Sequence, residues 1–226
     1  MKKYAVGIDL GTTNCTVGYT EIEGSSSEVQ VFGIPQVVRS GVVESRHTLP
    51  SFLYLPRESE FAPGALALPW GEERWVVGVF ARDHGAKTPG RLISSAKSWL
   101  CHGGVRREHP ILPVGAQEGE QLSPVDSARL LLSHIRCAWD HHFSGEGTLL
   151  SEQEVVVTVP ASFDPVAREL TVRAIQDAGL GSVTLLEEPQ AALYAWLNAH
   201  ETDWRDKVGV GDDILVCDVG GGTSDF

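Results

Sequence analysis

The segment Val6–Val17, with the sequence VGIDLGTTNCTV, limits the fold more than any other part of the chain. An apolar run ends at Asp9, a Gly-Thr-Thr turn follows, and the chain then becomes apolar again, a pattern that predicts strand, tight turn and strand. Gly11 allows backbone N–H groups to approach an anion, and threonine hydroxyls add donors. The carboxylate of Asp9 is a suitable ligand for a hydrated Mg²⁺ ion. The segment therefore predicts a phosphate-binding turn, with an ordinary hairpin as the alternative.

A second segment near the other end of the chain has the same design. Val216–Asp225 reads VCDVGGGTSD, in which an apolar stretch leads to the carboxylate of Asp218 and then to a glycine-rich turn ending in Thr223. Internal similarity of this kind is typical of duplicated structural units. Two such turns that face each other would bind a polyphosphate from both sides.

Charge and cysteine content narrow the possible partners. The net charge of −12 argues against nucleic acid and anionic membranes as partners, because both require clustered Lys and Arg. None of the four cysteines forms a C-x-x-C pair, so a zinc or redox motif is not expected. The chain has neither a signal-peptide pattern nor a long apolar stretch, and we expect a cytoplasmic protein.

The middle of the chain predicts alternating strands and helices. Ser123–Phe143 is the clearest helix, with Ser123 as its N-cap and a proline at the first helical position. A β-branched run then predicts a central parallel strand, and three further elements follow it. These predicted elements are strand Glu154–Val159, helix Val166–Ala178, buried strand Val183–Leu186 and helix Gln190–Asn198.

The remaining stretches suggest the domain organisation. Residues 34–119 are irregular and rich in proline, and they predict a peripheral subdomain inserted into a core made of residues 1–33 and 120–200. Residues 201–226 predict a connection followed by a new unit that opens with a strand at Ile214–Val216. Because a hairpin needs a second strand, we expect this unit to be incomplete and the chain to be a fragment of a longer protein. Ile214–Phe226 is expected to borrow a partner strand or to pack against the core.

Several segments together resemble the nucleotide-binding domain of the 70-kilodalton heat-shock chaperones, the DnaK type. The resemblance is collinear over nearly the whole chain. Its segments are Gly7–Val17, Thr48–Ser51 (TLPS), Thr158–Phe163 (TVPASF) with Arg168, Glu188–Trp196 (EPQAALYAW) and Val216–Asp225.

The resemblance implies an α/β protein with the actin-like ATPase fold, in which a ribonuclease-H-like mixed sheet carries flanking helices. The chain would hold the first lobe and the start of a truncated second lobe. It also implies ATP or ADP with Mg²⁺ as ligands, and ATP hydrolysis that controls a substrate-binding domain absent from this chain. The implied partners of the full-length protein are unfolded client peptides, a J-domain co-chaperone and a nucleotide-exchange factor.

The resemblance also implies roles for individual residues. Asp9 and Asp218 would hold Mg²⁺ through water, and Glu188, Asp218 and Thr223 would act near the attacking water. Pro160 and Arg168 would relay the nucleotide state to the rest of the protein. The implied phosphate-binding residues are Gly11, Thr12, Thr13, Asn14, Gly220, Gly221, Gly222 and Thr223.

The sequence departs from the family pattern at a few positions. The family's Gly-x-x-Ala-Lys here reads Gly78-Val79-Phe80-Ala81-Arg82, so we expect Arg82 to occupy the place of a lysine at the γ-phosphate. Arginine binds phosphate in a bidentate fork and does not exchange protons at neutral pH. Cys15 stands where serine is usual, Gln190 where threonine is usual and Ser224 where phenylalanine is usual.

Two other functions remain open at this point. A small-molecule kinase of the sugar-kinase type would share the fold, and a non-catalytic interaction protein could retain it. For the chain of 226 residues itself, weak or absent ATP binding is expected, because the adenosine-binding segments of the family would follow Phe226.

Overall fold

A computed structural model describes residues 1–24, 28–221 and 224–225 of the chain. The sequence Gly24-Ser25-Ser26-Ser27 predicts a turn, and most of it lies outside the described residues, as does Phe226. Among the helices within the described ranges, none combines the length and the apolar character needed to cross a bilayer.

The central element of the fold is a mixed sheet. Its strand order is β11-β10-β1-β2-β3, and β6 also pairs with β2. The pairs β1–β10 and β10–β11 are parallel, whereas β2 runs antiparallel to β1, β3 and β6. The strands of this sheet are β1 (Tyr4–Leu10), β2 (Asn14–Glu21), β3 (Gln30–Val31), β6 (Leu49–Pro50), β10 (Glu154–Val159) and β11 (Val183–Glu187).

Smaller sheets and short helices fill the region between β3 and residue 119. One hairpin, one three-stranded antiparallel sheet in the order β8-β7-β9 and two short helices form this region. Since β6 belongs to the central sheet, this stretch also contributes to the core. Its elements are β4 (Ile34–Arg39), β5 (Val42–Arg46), β7 (Leu53–Tyr54), β8 (Val76–Val77), α1 (Val79–Gly85), β9 (Leu92–Ile93) and α2 (Ala96–Leu100).

The long helix α3 (Pro124–His142) covers one face of the central sheet together with α4 (Pro165–Asp177). As predicted, Ser123 caps α3, and its hydroxyl accepts a hydrogen bond from the Asp126 amide at 2.9 Å. Asp164 caps α4 by accepting from the Ala167 amide at 2.6 Å. Both helices begin with proline, whose fixed φ suits the first helical turn.

The buried core lies between this helical layer and the sheet. Helical spacing predicts an apolar stripe along α3, and it is buried against alternate residues of β1 and β10. Its members are Val125, Ala128, Leu132, Ile135 and Trp139, the last of which is 0% exposed. The Trp139 indole N–H donates to the Thr148 carbonyl at 2.8 Å, and its ring packs among those of Tyr4, Tyr19 and Phe143. The opposite face of β1, which carries Asp9, remains exposed.

Two predictions about strands are wrong. β11 is half-buried rather than buried, because it is the edge strand of the sheet and α5 (Glu188–Ala199) leaves that edge partly open. Residues 214–217 are not a strand. They line an apolar cleft with Leu193 and Trp196 of α5. Ile214 and Leu215 are still 51% and 74% exposed, so this segment neither pairs with a sheet nor packs into the buried core.

The end of the chain also differs from the prediction of an unfinished hairpin. β12 (Asp218–Val219) pairs in antiparallel fashion with β13 (Ser224–Asp225), so the second strand is present within the chain. The short helix α6 (Trp204–Lys207) lies in the predicted connection. Asp218 is therefore the first residue of a strand, rather than the residue that follows one.

Candidate functional site

A cavity of about 600 Å³ opens on the exposed face of the central sheet. It lies where β1 and β10 end and α5 begins, and it brings together most of the site residues expected from the sequence. Its lining residues are Asp9, Gly11, Thr12, Thr13, Asn14, Thr16, Thr48, Lys97, Thr158, Glu188, Ala191, Ala192, Ala195, Asp218, Gly220 and Gly221.

The first turn joins β1 to β2 at one wall of this cavity. Gly11 packs so closely against the carbonyl of Asn14 that a Cβ atom would overlap the Asn14 oxygen. Only glycine fits this turn without a shift of the backbone. Thr12 and Thr13 are half-buried and line the cavity with their neighbours.

The second turn meets the first one directly. A Cβ atom placed on Gly221 would overlap the hydroxyl of Thr13, so the two turns approach each other to van der Waals distance. Asp218 and Gly220 line the same cavity. Gly222 and Thr223, which the sequence also assigns to this turn, lie outside the described residues. The expectation that the two turns face each other agrees with the placement of the described residues.

Asp9 is fixed by a threonine on the neighbouring strand. Asp9 and Thr158 are register partners at the ends of the parallel strands β1 and β10. The Thr158 hydroxyl donates to the Asp9 Oδ1 atom at 2.8 Å. Thr158 is not among the site residues expected from the sequence, although the end of a central parallel strand is a usual position for one.

A buried ion pair closes the cavity on the side of α5. The Lys97 Nζ atom donates to the Glu188 Oε1 atom at 2.5 Å, and the two side chains are only 10% and 15% exposed. Burial raises the pKa of the Glu188 carboxyl above its ordinary value, although the Lys97 ammonium opposes this effect. Asp9 and Asp218 raise the same pKa further, since their charges repel a third carboxylate.

Arg82 is not in the cavity. It lies on α1, its side chain is 45% exposed, and its Nε atom donates to the adjacent Asp83 at 2.7 Å. The cation that reaches the cavity is Lys97, on the short helix α2. The expectation that Arg82 replaces a phosphate-binding lysine is therefore not met by its position.

Comparison with known proteins identifies the family to which the site belongs. The family model for the Hsp70 protein matches residues 5–226. The chain belongs to the Hsp70 family. Its mixed sheet and flanking helices agree with the N-terminal region of the actin-like ATPase fold expected from the sequence.

Relatives in several bacteria are named as chaperones. The chain is 32% identical over 240 residues to the chaperone protein HscA of Enterobacter sp. (strain 638) and 32% identical over 245 residues to an HscA homolog of Pseudoalteromonas atlantica. It is also 32% identical over 238 residues to an HscA homolog of Pseudomonas aeruginosa. Each match covers 100% of this chain but 32% of the relative, so the chain spans about a third of the length of these proteins.

Two residues expected to relay the nucleotide state in this Hsp70-family chain lie outside the cavity. Pro160 is buried and directly follows β10. Arg168 on α4 donates to the Phe163 carbonyl at 3.2 Å and to the Glu187 carboxylate at 2.7 Å. Because Glu187 precedes Glu188, the Arg168 contact connects α4 to the edge of the cavity.

The carboxylates that line the cavity are suitable ligands for a hydrated Mg²⁺ ion. Within the described residues, no group of three or more His, Cys, Asp or Glu side chains is arranged to hold a metal. Asp9, Asp218 and hydroxyl oxygens do line one cavity, and Mg²⁺ is commonly bound through one or two carboxylates while it keeps several waters. The donor set of this Hsp70-family chain therefore fits a hydrated Mg²⁺ ion better than Zn²⁺.

Proposed function

We propose that this chain forms part of the ATP-binding and ATP-hydrolysing domain of a DnaK-like chaperone. The observation that supports the proposal most strongly is the Lys97–Glu188 pair, which lies in one cavity with Asp9 and Asp218 and beside two touching glycine-threonine turns. A cation, three carboxylates and two turns rich in N–H groups are the parts that phosphoryl transfer requires, because that chemistry rests on positioning and electrostatic stabilisation.

In this proposal the two turns bind the phosphates of ATP from opposite sides. Gly11, Thr12, Thr13 and Asn14 would contribute backbone N–H groups and hydroxyls from one side. The second turn, Gly220–Thr223, would do so from the other. Asp9 and Asp218 would hold Mg²⁺ through water, and the ion would supply positive charge that neutralises the phosphate oxygens.

The protein groups would act on the terminal phosphate as follows. A water oxygen forms a bond to the terminal phosphorus while the bond from that phosphorus to the bridging oxygen breaks. The water proton passes to the carboxylate of Glu188, which its surroundings make more basic than usual. ADP carries away the electron pair of the broken bond, and Lys97 stabilises the charge on the transferred phosphoryl group. Asp218 and Thr223 would orient the water.

The nucleotide state would reach the rest of the protein through α4. A shift of Glu188 on phosphate binding moves its neighbour Glu187, and Arg168 transmits that movement to α4 and to the Pro160 turn. In the full-length protein this relay would control a domain that binds unfolded client peptides. We also propose a J-domain co-chaperone and a nucleotide-exchange factor as partners, and the cytoplasm as the location.

Residues 1–226 alone are proposed to bind nucleotide weakly. Among the described residues that line the cavity none is aromatic, and small or polar side chains dominate, so the cavity contacts phosphates but offers little surface for a base. Calorimetry with MgATP tests this statement. Micromolar affinity would contradict it.

The function is tested by a pair of matched substitutions in the full-length protein. Lys97→Met should reduce the rate of phosphate release from ATP about a hundredfold to a thousandfold, the usual loss when one group that stabilises a transition state is removed. Arg82→Met, which removes an exposed cation outside the cavity, should leave the rate unchanged. The reverse result would favour Arg82 as the phosphate ligand.

Peptide stimulation separates the chaperone from the other two functions. Unfolded peptide should increase phosphate release. Turnover that requires a sugar would indicate a small-molecule kinase instead. The absence of turnover with and without peptide would indicate a non-catalytic interaction protein.

A further inference from the structure

The underside of the first turn is held by one buried residue. Ser51 directly follows β6, which pairs with β2 at Asn14 and Cys15. Ser51 is only 4% exposed. Its hydroxyl donates to the Gly11 carbonyl at 2.7 Å, and its backbone N–H donates to the Thr13 carbonyl at 2.9 Å. The carbonyls at both ends of the turn are therefore bound to the same residue.

These two bonds determine the direction of the turn's amides. In a planar trans peptide the C=O and N–H groups point in opposite directions. Since the Gly11 carbonyl points toward Ser51, the Thr12 N–H must point away from it, and Thr12 lies in the wall of the cavity. Ser51 thus keeps this backbone donor on the side of the turn opposite its own hydroxyl, and Thr12 lines the space that a phosphate would occupy.

A buried thiol contacts the Ser51 hydroxyl. The Gly11 carbonyl only accepts hydrogen bonds, so the single hydroxyl hydrogen of Ser51 is used there. The Cys15 Sγ atom lies 3.4 Å from the Ser51 Oγ atom, and the thiol must therefore be the donor in that contact. Cys15 is 0% exposed, and burial raises its pKa to about 11, so the thiol keeps its hydrogen at neutral pH.

We propose that Ser51 is a positioning residue for phosphate binding, and that the Cys15 thiol holds the Ser51 hydroxyl in the orientation this requires. The proposal rests on the proposed function, because it concerns the same turn. It adds a short chain of hydrogen bonds, in which the thiol donates to the hydroxyl and the hydroxyl donates to the backbone carbonyl, behind the turn and out of contact with the ligand. It also gives Cys15 a role that requires a donor at this position, which serine would fulfil equally well.

The test compares Ser51→Ala with Ser127→Ala. Ser127 is a matched control, because it is 0% exposed and its hydroxyl also donates to a backbone carbonyl, that of Ser123, at 2.9 Å. Both substitutions should lower the stability to urea by similar amounts. Only Ser51→Ala should weaken the binding of magnesium pyrophosphate, about fivefold, the factor that corresponds to one net hydrogen bond. Calorimetry measures this affinity in the chain of residues 1–226.

Amide hydrogen exchange gives a second readout that needs no ligand. In Ser51→Ala the amide of residue 51 should exchange about tenfold faster, since the turn that accepts its hydrogen bond loosens, while amides in β10 keep their rates. Cys15→Ala should show a smaller effect of the same kind, and Cys15→Ser should restore the wild-type values. The inference is overturned if Ser51→Ala leaves both exchange and affinity unchanged, or if Ser127→Ala reduces affinity equally.

The two proposals fail in different ways. If the wild-type chain does not bind magnesium pyrophosphate at all, the proposed function is contradicted for this chain. The exchange rate of the residue 51 amide then still decides whether Ser51 holds the turn.

Discussion

Replacing Lys97 with methionine should destabilise the protein in a pH-dependent manner. Methionine keeps most of the length of the side chain but removes the ammonium group that binds Glu188 at 2.5 Å. The carboxylate would then remain 15% exposed without its cation. A hydrogen bond between charged groups contributes about 1.5–3 kcal/mol, and the remaining access to water keeps the loss below the 3–5 kcal/mol typical of fully buried pairs.

The direction of the pH dependence follows from Glu188. Its pKa in the folded protein is raised by burial, and the loss of Lys97 raises that pKa further. At low pH the carboxyl is protonated in both proteins, so the ion pair contributes little and the two stabilities are similar. As pH rises through the folded pKa of wild-type Glu188, the wild type gains the pair and the variant does not. The difference should therefore grow toward neutral pH.

Urea denaturation from pH 4 to pH 8 measures this difference. The Arg82→Met variant serves as the control, because its exposed pair with Asp83 should contribute less than about 1 kcal/mol at any pH. A loss in Lys97→Met that is equal at pH 4 and pH 8 would show that Glu188 is not its electrostatic partner. A loss no larger than that of the control would refute the reasoning altogether.

Three further outcomes are expected. Trp139→Phe should lower the free energy of unfolding by about 2–4 kcal/mol, because it leaves the buried Thr148 carbonyl without its donor and opens a void. Urea denaturation measures this loss, and an unchanged midpoint would contradict the described packing. Gly11→Ala should weaken magnesium pyrophosphate binding at least tenfold in calorimetry, since the new Cβ atom would overlap the Asn14 carbonyl oxygen. Gly7→Ala is the control and should leave the affinity unchanged, because its Cβ atom would make only an ordinary van der Waals contact. The Arg107 guanidinium is the main cause that lowers the pKa of Asp164 to about 2, so Arg107→Ala should raise this pKa toward the usual aspartate range. Carbon NMR of the Asp164 carboxyl measures the titration midpoint, and an unchanged midpoint would contradict the prediction.

Much of the fold could be predicted from local sequence because local chemistry determines it. The start of α3 follows from Ser123 and the proline after it, and its buried stripe follows from helical spacing. The first turn follows from a glycine between two apolar runs. In each of these cases the deciding residues are close neighbours in sequence.

The parts that could not be predicted depend on contacts between distant residues. Lys97 and Glu188 are separated by 91 positions, and no spacing rule connects a five-residue helix to the start of α5. Arg82 matched a motif position by sequence, but α1 directs it toward solvent. The apolar residues Ile214–Val216 are typical of a strand, yet they line an open cleft beside α5 and pair with no strand among the described residues.

The pairing of β1 with β10 has a consequence for when the site can form during folding. Asp9 and Thr158 are 149 positions apart, and closing a loop of that length costs about 4 kcal/mol of chain entropy before any contact compensates for it. Such distant pairings form slowly. The wall of the cavity that carries Thr158 is therefore expected to form late, after helix α3 and the hairpin of β1 and β2 have formed from local contacts. Phosphate binding would then indicate that this domain is complete. A chain released before β10 has docked would hold the first turn without the strand that positions Asp9.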